Sequence, residues 1–302
     1  MPALYTHYKF GNDVLNNLNT DITNKINNEL NYYFMFNQGW DNLYYHFKWN
    51  YYKKFGTYAH KNNVDKFFYN LITYIKENNL EEEHQITNMI YGFINHYILD
   101  TLLHPYINYQ VKNLKIAHSK IEFILDNMLY QKEHHYKWKG NFFKTLIPKL
   151  KFSNNLSKTI EYTFFKTYNK NNMGKIFNTS HNNGYYLYRY IIFDKNGIKT
   201  KIYKLLDYII PFKKLKFHEC TYCLKDYNEY IFNYNKIIWH HPKNKLEEYN
   251  YSLEELYNYS LNIAIKLNTI IYNILYTNED IDKLMSLIKL INIKNIQELL
   301  KK

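Results

Sequence analysis

His96, Asp100 and His104 stand four residues apart inside the apolar run Tyr91-Gly92-Phe93-Ile94-Asn95-His96-Tyr97-Ile98-Leu99-Asp100-Thr101-Leu102-Leu103-His104-Pro105. On a helix that spacing stacks all three in one column on one face. Two metal-binding side chains at i and i+4 can grip one ion, and three in a column can serve two ions with the middle carboxylate bridging. Ionisable groups in apolar surroundings are costly unless they are paired or bound to metal. A second i, i+4 pair, His118 and Glu122, follows on the next predicted helix. A mixed histidine and carboxylate set suits zinc, whereas magnesium or calcium would call for mostly oxygen ligands. One such pair alone is commonly a core histidine with ordinary partners. Two pairs on successive helices, with a third histidine in register, point to a metal centre.

Two upstream segments add candidates. Gln38-Gly39-Trp40-Asp41 places an Asp after a Gly in a turn, and Phe55-Gly56-Thr57-Tyr58-Ala59-His60 places a His just before a helix. Taken singly, each fits a plain structural role, an Asx turn or a His at a helix boundary. A separate constellation, His218-Glu219-Cys220-Thr221-Tyr222-Cys223 with His240-His241 beyond it, has the Cys-x-x-Cys spacing of a structural zinc site. Its adjacent histidines are poorly spaced to reach one ion together, so it ranks below the first set. His46, His84, His134, His135 and His181 read as surface or core residues.

The elements that must carry these side chains are helical. Apolar residues recur at three and four over 64–76, 86–103 and from about Leu114 to Leu129. A further helix over 253–275 opens with Ser252 and Glu255 in the spacing of a capping box, and 279–300 reads as a last amphipathic helix. Between about 135 and 250 the pattern is less regular; Asp194-Lys195-Asn196-Gly197 predicts a turn, and Tyr185–Phe193 fits either a strand or a buried helix. Only 8 glycines and 5 prolines in 302 residues argue against a turn-rich β-sandwich. No internal repeat or flexible linker stands out, so the expectation is one all-α multi-helical domain over 1–302. It divides into a metal-binding core, 1–150, and a helical C-terminal extension, 151–302, packed on it.

Lysine and arginine exceed the acids by 39 to 27, a net charge of +12 that favours anionic partners such as nucleic acid, acidic lipid headgroups or phosphorylated substrates. The basic residues are scattered, which also fits a well-solvated surface. The 35 tyrosines follow a compositional bias shared with Asn, Lys and Ile, so individual tyrosines carry little information. No secretory signal and no run long enough to span a membrane is visible, and the two cysteines lie too close in sequence to staple distant elements. A soluble, cytoplasmic protein is therefore expected.

With these residues in place the sequence resembles the zinc-dependent phospholipase C family of bacteria, including its shorter cytoplasmic relatives. The resemblance rests on Pro-Ala-x-x-Thr-His (2–7), Gln-Gly-x-Asp (38–41), Gly-x-x-x-His (56–60), Gly-x-x-x-His-Tyr-x-x-Asp (92–100), His-Pro-Tyr (104–106) and His-x-x-x-Glu (118–122). It covers Met1 to about Leu129 and is faint beyond 150. It implies an all-α fold with three clustered zinc ions. By motif, Asp41, His60, His96 and Asp100 would hold the first, His104, His118 and Glu122 the second, and His7 with a bridging Asp100 the third. Two features depart from the family. The secreted members complete the third site with a processed N-terminal Trp, where this chain begins Met1-Pro2, and they place the second-site His beyond the Pro, whereas His104 precedes Pro105.

The implied activity is hydrolysis of a phosphodiester by metal-activated water, with Asp41 both a ligand and a candidate base. The first substrate class is a phospholipid, cleaved to diacylglycerol and a phosphorylated headgroup at an anionic membrane surface. An alternative with the same site is a nuclease acting on single-stranded nucleic acid, in which tyrosines stack bases. An alternative of another class is a non-catalytic nucleic-acid or membrane-surface binding protein whose histidines are structural.

Overall fold

The computed structural model describes residues 4–134, 146–210, 216–223 and 228–301. The chain runs through α1 (Leu4–Asn17), α2 (Thr20–Ile26), α3 (Leu30–Phe36), a 3-10 segment Gly39–Tyr45, α4 (Trp49–Ala59), α5 (Val64–Glu77), α6 (His84–Leu114) and α7 (His118–Glu133). It continues through α8 (Asn154–Tyr168), α9 (Met173–Leu187), α10 (Ile198–Ile209), α11 (Leu253–Tyr276), α12 (Ile281–Leu290) and α13 (Ile296–Lys301). Two small sheets interrupt the second half. Strands β1 (Phe193–Asp194) and β2 (Tyr222–Cys223) pair in parallel, and β3 (Trp239–His241) and β4 (Asn244–Tyr249) form an antiparallel hairpin. The fold is all-α in a single domain, as expected.

The longest helix, α6, becomes the spine. Ile86, Ile90, Phe93, Ile94, Ile98 and Leu102 of α6 are buried, and so are Tyr91, Leu99 and Tyr106 on its other sides. A helix apolar all round must be surrounded, and α6 packs against α1, α2, α3, α5, α7, α8 and α11. The approach of α3 is possible because residue 92 is Gly. A Cβ there would lie 2.6 Å from the Phe36 Cβ and 2.8 Å from the Tyr33 carbonyl oxygen. A buried polar chain fixes the register of four helices. Tyr33 donates to the Gly11 carbonyl (2.8 Å), Asn95 donates to the Tyr33 hydroxyl (2.8 Å), and Asn268 donates to the Asn95 side-chain oxygen (2.7 Å). The Tyr33 hydroxyl and the Asn95 and Asn268 amide groups that donate along this chain are thus matched instead of left as a desolvation cost.

Helices α5 and α11 follow the predicted periodicity, and the Ser252–Glu255 capping box is formed, satisfying amides that the helix itself leaves open. Three boundaries differ from expectation. Helix α6 runs on through Pro105 to Leu114. The helix expected from Leu114 starts instead at His118, because Lys115 adopts a left-handed conformation (φ 54°) that ends α6. The tail is broken at Asn292, whose extended backbone and side-chain acceptor for the Lys294 amide open a new 3-10 turn. Tyr185–Phe193 resolves into the end of α9, a π-helical turn at Tyr188–Ile192 and the first residue of β1. The turn at Asp194–Gly197 forms, with Gly197 at φ +76°.

Candidate metal centre

Five elements deliver the predicted side chains to one place. Helix α6 carries His96, Asp100 and His104, and α7 carries His118 at its first residue with Glu122 a turn later. His7 comes from α1, Asp41 from the 3-10 segment, and His60 caps the C-terminus of α4. Asp100 sits at the middle. Its Oδ1 is 3.2 Å from His7 Nε2, and its Oδ2 is 3.6, 3.5 and 3.3 Å from His60 Nε2, His96 Nε2 and His104 Nδ1. His60 Nε2 is also 3.0 Å from Asp41 Oδ1 and 3.0 Å from His96 Nε2. On the other side of His104, Glu122 Oε1 lies 3.3 Å from His104 Nε2 and 2.9 Å from His118 Nε2.

Among the described residues, two groups bring three or more ligand-type atoms within 4.8 Å of one another: His7, Asp41, His96 and Asp100, and His104, His118 and Glu122. Both groups could hold a metal ion. The second has the membership that the resemblance implies. In the first, His7 is an integral member, where the resemblance sets it apart with a third ion, and His60 lies alongside. The Met1-Pro2 terminus, on which the third site was expected to depend, lies outside the described residues.

The donor chemistry fits cations. The Gly56 carbonyl can only accept, so His60 Nδ1, 2.6 Å away, carries the hydrogen and the Nε2 lone pair of a neutral ring faces the Asp41 carboxylate. His104 repeats the pattern. Its Nδ1 lies 3.1 Å from the Asp100 carbonyl, which leaves the Nε2 lone pair towards Glu122. Lone pairs aimed at carboxylates repel unless a proton or a metal lies between them. A backbone carbonyl behind a ligating histidine is also the usual way its tautomer and orientation are fixed. Asp100 Oδ2, buried here, accepts no hydrogen bond.

The electrostatics divide the histidines. Burial opposes charge on His7 and His60, but the Asp100 carboxylate beside His7 and the Asp41 carboxylate beside His60 override it and raise both above the ordinary value. Burial likewise works against His104, and Asp100 with Glu122 lifts it to about 9. Burial dominates at His96, pushing it down to about 3, so it stays neutral. The three carboxylates are held below their usual range in spite of burial: Asp41 by His60, Asp100 by His104 and His96, and Glu122 by His118 and His104.

The local sequence explains the placement. Gly39 has φ +45°, and a Cβ on it would fall 2.1 Å from His96 Cδ2. Only Gly lets the 3-10 segment lie against the histidine column. Trp40 is buried with its ring against both His60 and His96 (centroids 5.4 and 5.9 Å). Asp126 is a contributor that sequence reasoning missed. Its Oδ2 accepts the Tyr5 amide (2.9 Å), and its Oδ1 accepts the Thr6 amide (2.8 Å) and hydroxyl (2.6 Å). It therefore caps α1 from α7 and sets the turn that presents His7. Its signal was available, since His118, Glu122 and Asp126 continue one i, i+4 column.

The centre forms the floor of a cleft of about 940 Å³, lined by Asp41, His60, Asp100, His104, His118 and Glu122, with His7 and His96 buried behind. Its lining carries five lysines, Lys53, Lys61, Lys243, Lys289 and Lys294, against Asp65 and Glu247, which pair with Lys289 and Lys294. The β3–β4 hairpin supplies His241, Pro242 and Lys243 to one wall. Compared with known proteins, the chain matches no family model, no curated protein and no solved structure.

The other histidines and the cysteines stand apart from both groups. His218 turns to Asp207 (Nδ1 to Oδ2, 2.6 Å), Cys220 Sγ faces the Lys216 carbonyl, and Cys223 is buried against the body of the protein. His240 faces the Lys245 carbonyl within its hairpin. The expected surface or core roles hold for His46, which accepts the Lys48 amide, and for His181, buried with Nε2 2.7 Å from the Pro148 carbonyl. His135 lies outside the described residues. Among the described residues no helix is long and apolar enough to cross a membrane.

Proposed function

We propose that this chain is a zinc-dependent phosphodiester hydrolase acting as a phospholipase C. The observation that carries the reading is the convergence of eight His, Asp and Glu side chains from five elements, six of them lining one cleft and His7 and His96 directly behind. Zinc suits the donors. Nitrogen and oxygen ligands arranged tetrahedrally at about 2.0–2.1 Å from zinc lie roughly 3.3 Å apart, close to the separations among the Asp100 neighbours. His7, Asp41, His60, His96 and Asp100 would hold one end of the cluster, and His104, His118 and Glu122 the other, with Asp100 between them. When bound, the ions would lower the pKa of water, polarise the phosphoryl oxygens and neutralise the leaving oxygen.

The chain's own residues supply the rest. Asp41, ionised and lining the cleft, would take the proton of an attacking water. The water oxygen would form the new bond to phosphorus and the bond from phosphorus to the glycerol oxygen would break; that oxygen would take a proton from solvent and leave as diacylglycerol, and Asp41 would return its proton to solvent. The lysine rim favours approach of a phosphate. The same rim favours a second reading, a single-stranded nucleic acid, since a strand offers a phosphate at every nucleotide.

Metal analysis and assay test these readings together. The purified chain is expected to carry two or more zinc ions and to release diacylglycerol from phospholipid, with chelation stopping turnover. Asp100→Asn should cut turnover at least roughly 100-fold, the upper range seen when even a partner behind a ligand is lost, and should weaken zinc uptake. Full activity in that variant would sink the bridging role. Nucleotide release without diacylglycerol would select the nuclease. A chain that takes up no zinc would leave only a non-catalytic binding protein.

A further inference from the structure

Helix α10 is mounted with its apolar face outward. In Ile198-Lys199-Thr200-Lys201-Ile202-Tyr203-Lys204-Leu205-Leu206-Asp207-Tyr208-Ile209, residues Ile198, Ile202, Leu205 and Ile209 follow one another at four, three and four, a single stripe. Such a stripe ordinarily faces the core. Here the four side chains are 58%, 51%, 60% and 62% exposed, and no residue of the helix is buried. The face turned to the protein is the polar one. The Thr200 amide and hydroxyl both donate to Asp194 Oδ2 at 2.7 Å, and Asp207 accepts the Phe217 amide (2.7 Å) and His218 Nδ1 (2.6 Å). The Tyr203 hydroxyl donates to the Ile191 carbonyl (3.3 Å). Anchored by these bonds, the helix holds its stripe towards solvent, and exposed Tyr190 and Ile191 extend the patch beside it.

The exposed charge that flanks the stripe is basic; Glu219, on the 3-10 segment packed against the helix, is turned to Lys216. Lys201 and Lys204 flank it and are exposed, with Arg189 and Lys195 on the adjoining turns. The helix's one acid, Asp207, is on the anchored side and already paired. We propose that this face is a docking surface for an anionic lipid bilayer, with α10 lying in the plane of the interface. An apolar stripe with basic flanks on a short helix is the pattern of an interfacial segment, in which acyl chains cover the stripe and lipid phosphates and carboxylates meet the lysines. A second copy of the chain is the weaker occupant, because apposed stripes would bring Lys201 and Lys204 of both copies together. The surface is separate from the metal centre and does not depend on what that centre catalyses.

Co-sedimentation of the chain with vesicles, in chelator so that no turnover is involved, tests this. Wild type should bind phosphatidylcholine vesicles containing about 30% phosphatidylserine, bind pure phosphatidylcholine more weakly, and lose binding as salt is raised. Ile202→Glu with Leu205→Glu should weaken binding at least about tenfold while circular dichroism and melting stay unchanged, since both side chains are exposed. Lys201→Glu with Lys204→Glu, which keeps the stripe, should erase the preference for anionic vesicles. The proposal is overturned if wild type ignores anionic vesicles, if the double-Glu variant of the stripe binds as well as wild type, or if that variant splits a dimer and vesicle binding is absent. None of these outcomes bears on zinc uptake or hydrolysis, so this surface and the enzymatic reading fail independently.

Discussion

A methyl group at position 39 would carry two costs. The backbone there is left-handed, with φ +45°, where an L side chain costs about 1–2 kcal/mol. The added carbon would also meet the His96 ring at 2.1 Å, and that ring, fully buried against Trp40, has nowhere to go. Overpacking of this kind adds about 1–3 kcal/mol. Gly39→Ala should therefore destabilise the fold by about 2–5 kcal/mol. It should also weaken metal uptake at the His7, Asp41, His96 and Asp100 group more than at the His104, His118 and Glu122 group. Urea denaturation with a stepwise zinc titration would read both effects, and an alanine variant as stable as wild type would show that His96 does not lie against residue 39. Asp100 follows another logic. Its four histidine neighbours, His104 of the second group among them, and the oxygen that accepts no hydrogen bond put it between the two groups.

At the level of the element, the centre depends on two helices read from spacing and three segments that spacing does not place. The column His96, Asp100, His104 and the pair His118, Glu122 were legible because helical geometry fixes side-chain direction once a helix is granted. His7, Asp41 and His60 reach the site through backbone features that are local only in part: a left-handed Gly, a helix C-terminus, and a first turn capped from a helix more than a hundred residues away. Their residues are visible in the sequence, but their convergence is a property of packing. The break at Lys115 shows the limit in the other direction, since apolar periodicity runs across a residue whose conformation stops the helix. Asp126 gives this dependence a test. Asp126→Ala removes three hydrogen bonds and leaves the Tyr5 and Thr6 amides buried without a partner, a loss of about 2–4 kcal/mol. The expected result is a weakened first metal group with the second intact. A variant that weakened both groups alike, at unchanged stability, would show that Asp126 does not act by holding α1.

For the whole molecule, the histidine and carboxylate cluster ties stability to pH and, if it holds the metal proposed above, to that metal. Without metal, protons on His7, His60 and His104 are what offset Asp41, Asp100 and Glu122. Their folded pKa values lie above those of the unfolded chain, with His104 at about 9. The stability they contribute is therefore complete below about pH 6.5 and is lost as pH rises towards 9. The carboxylates, held below their usual range, contribute the opposite way, with stability present at neutral pH and lost only on acidification below about 4. A bound metal would take the place of the protons, and its binding would strengthen as the histidines deprotonate. The melting temperature of the chelated chain should thus fall between pH 6.5 and 9, while that of the zinc-loaded chain stays level or rises. The gap between the two should widen across the window, and melting curves at three pH values with chelator or with zinc would measure it. Parallel curves would mean that the cluster is held together by ordinary hydrogen bonds and that cations have no structural part in it. A gap that narrowed as pH rose would reverse the sign of the argument and remove the histidines from the centre of it.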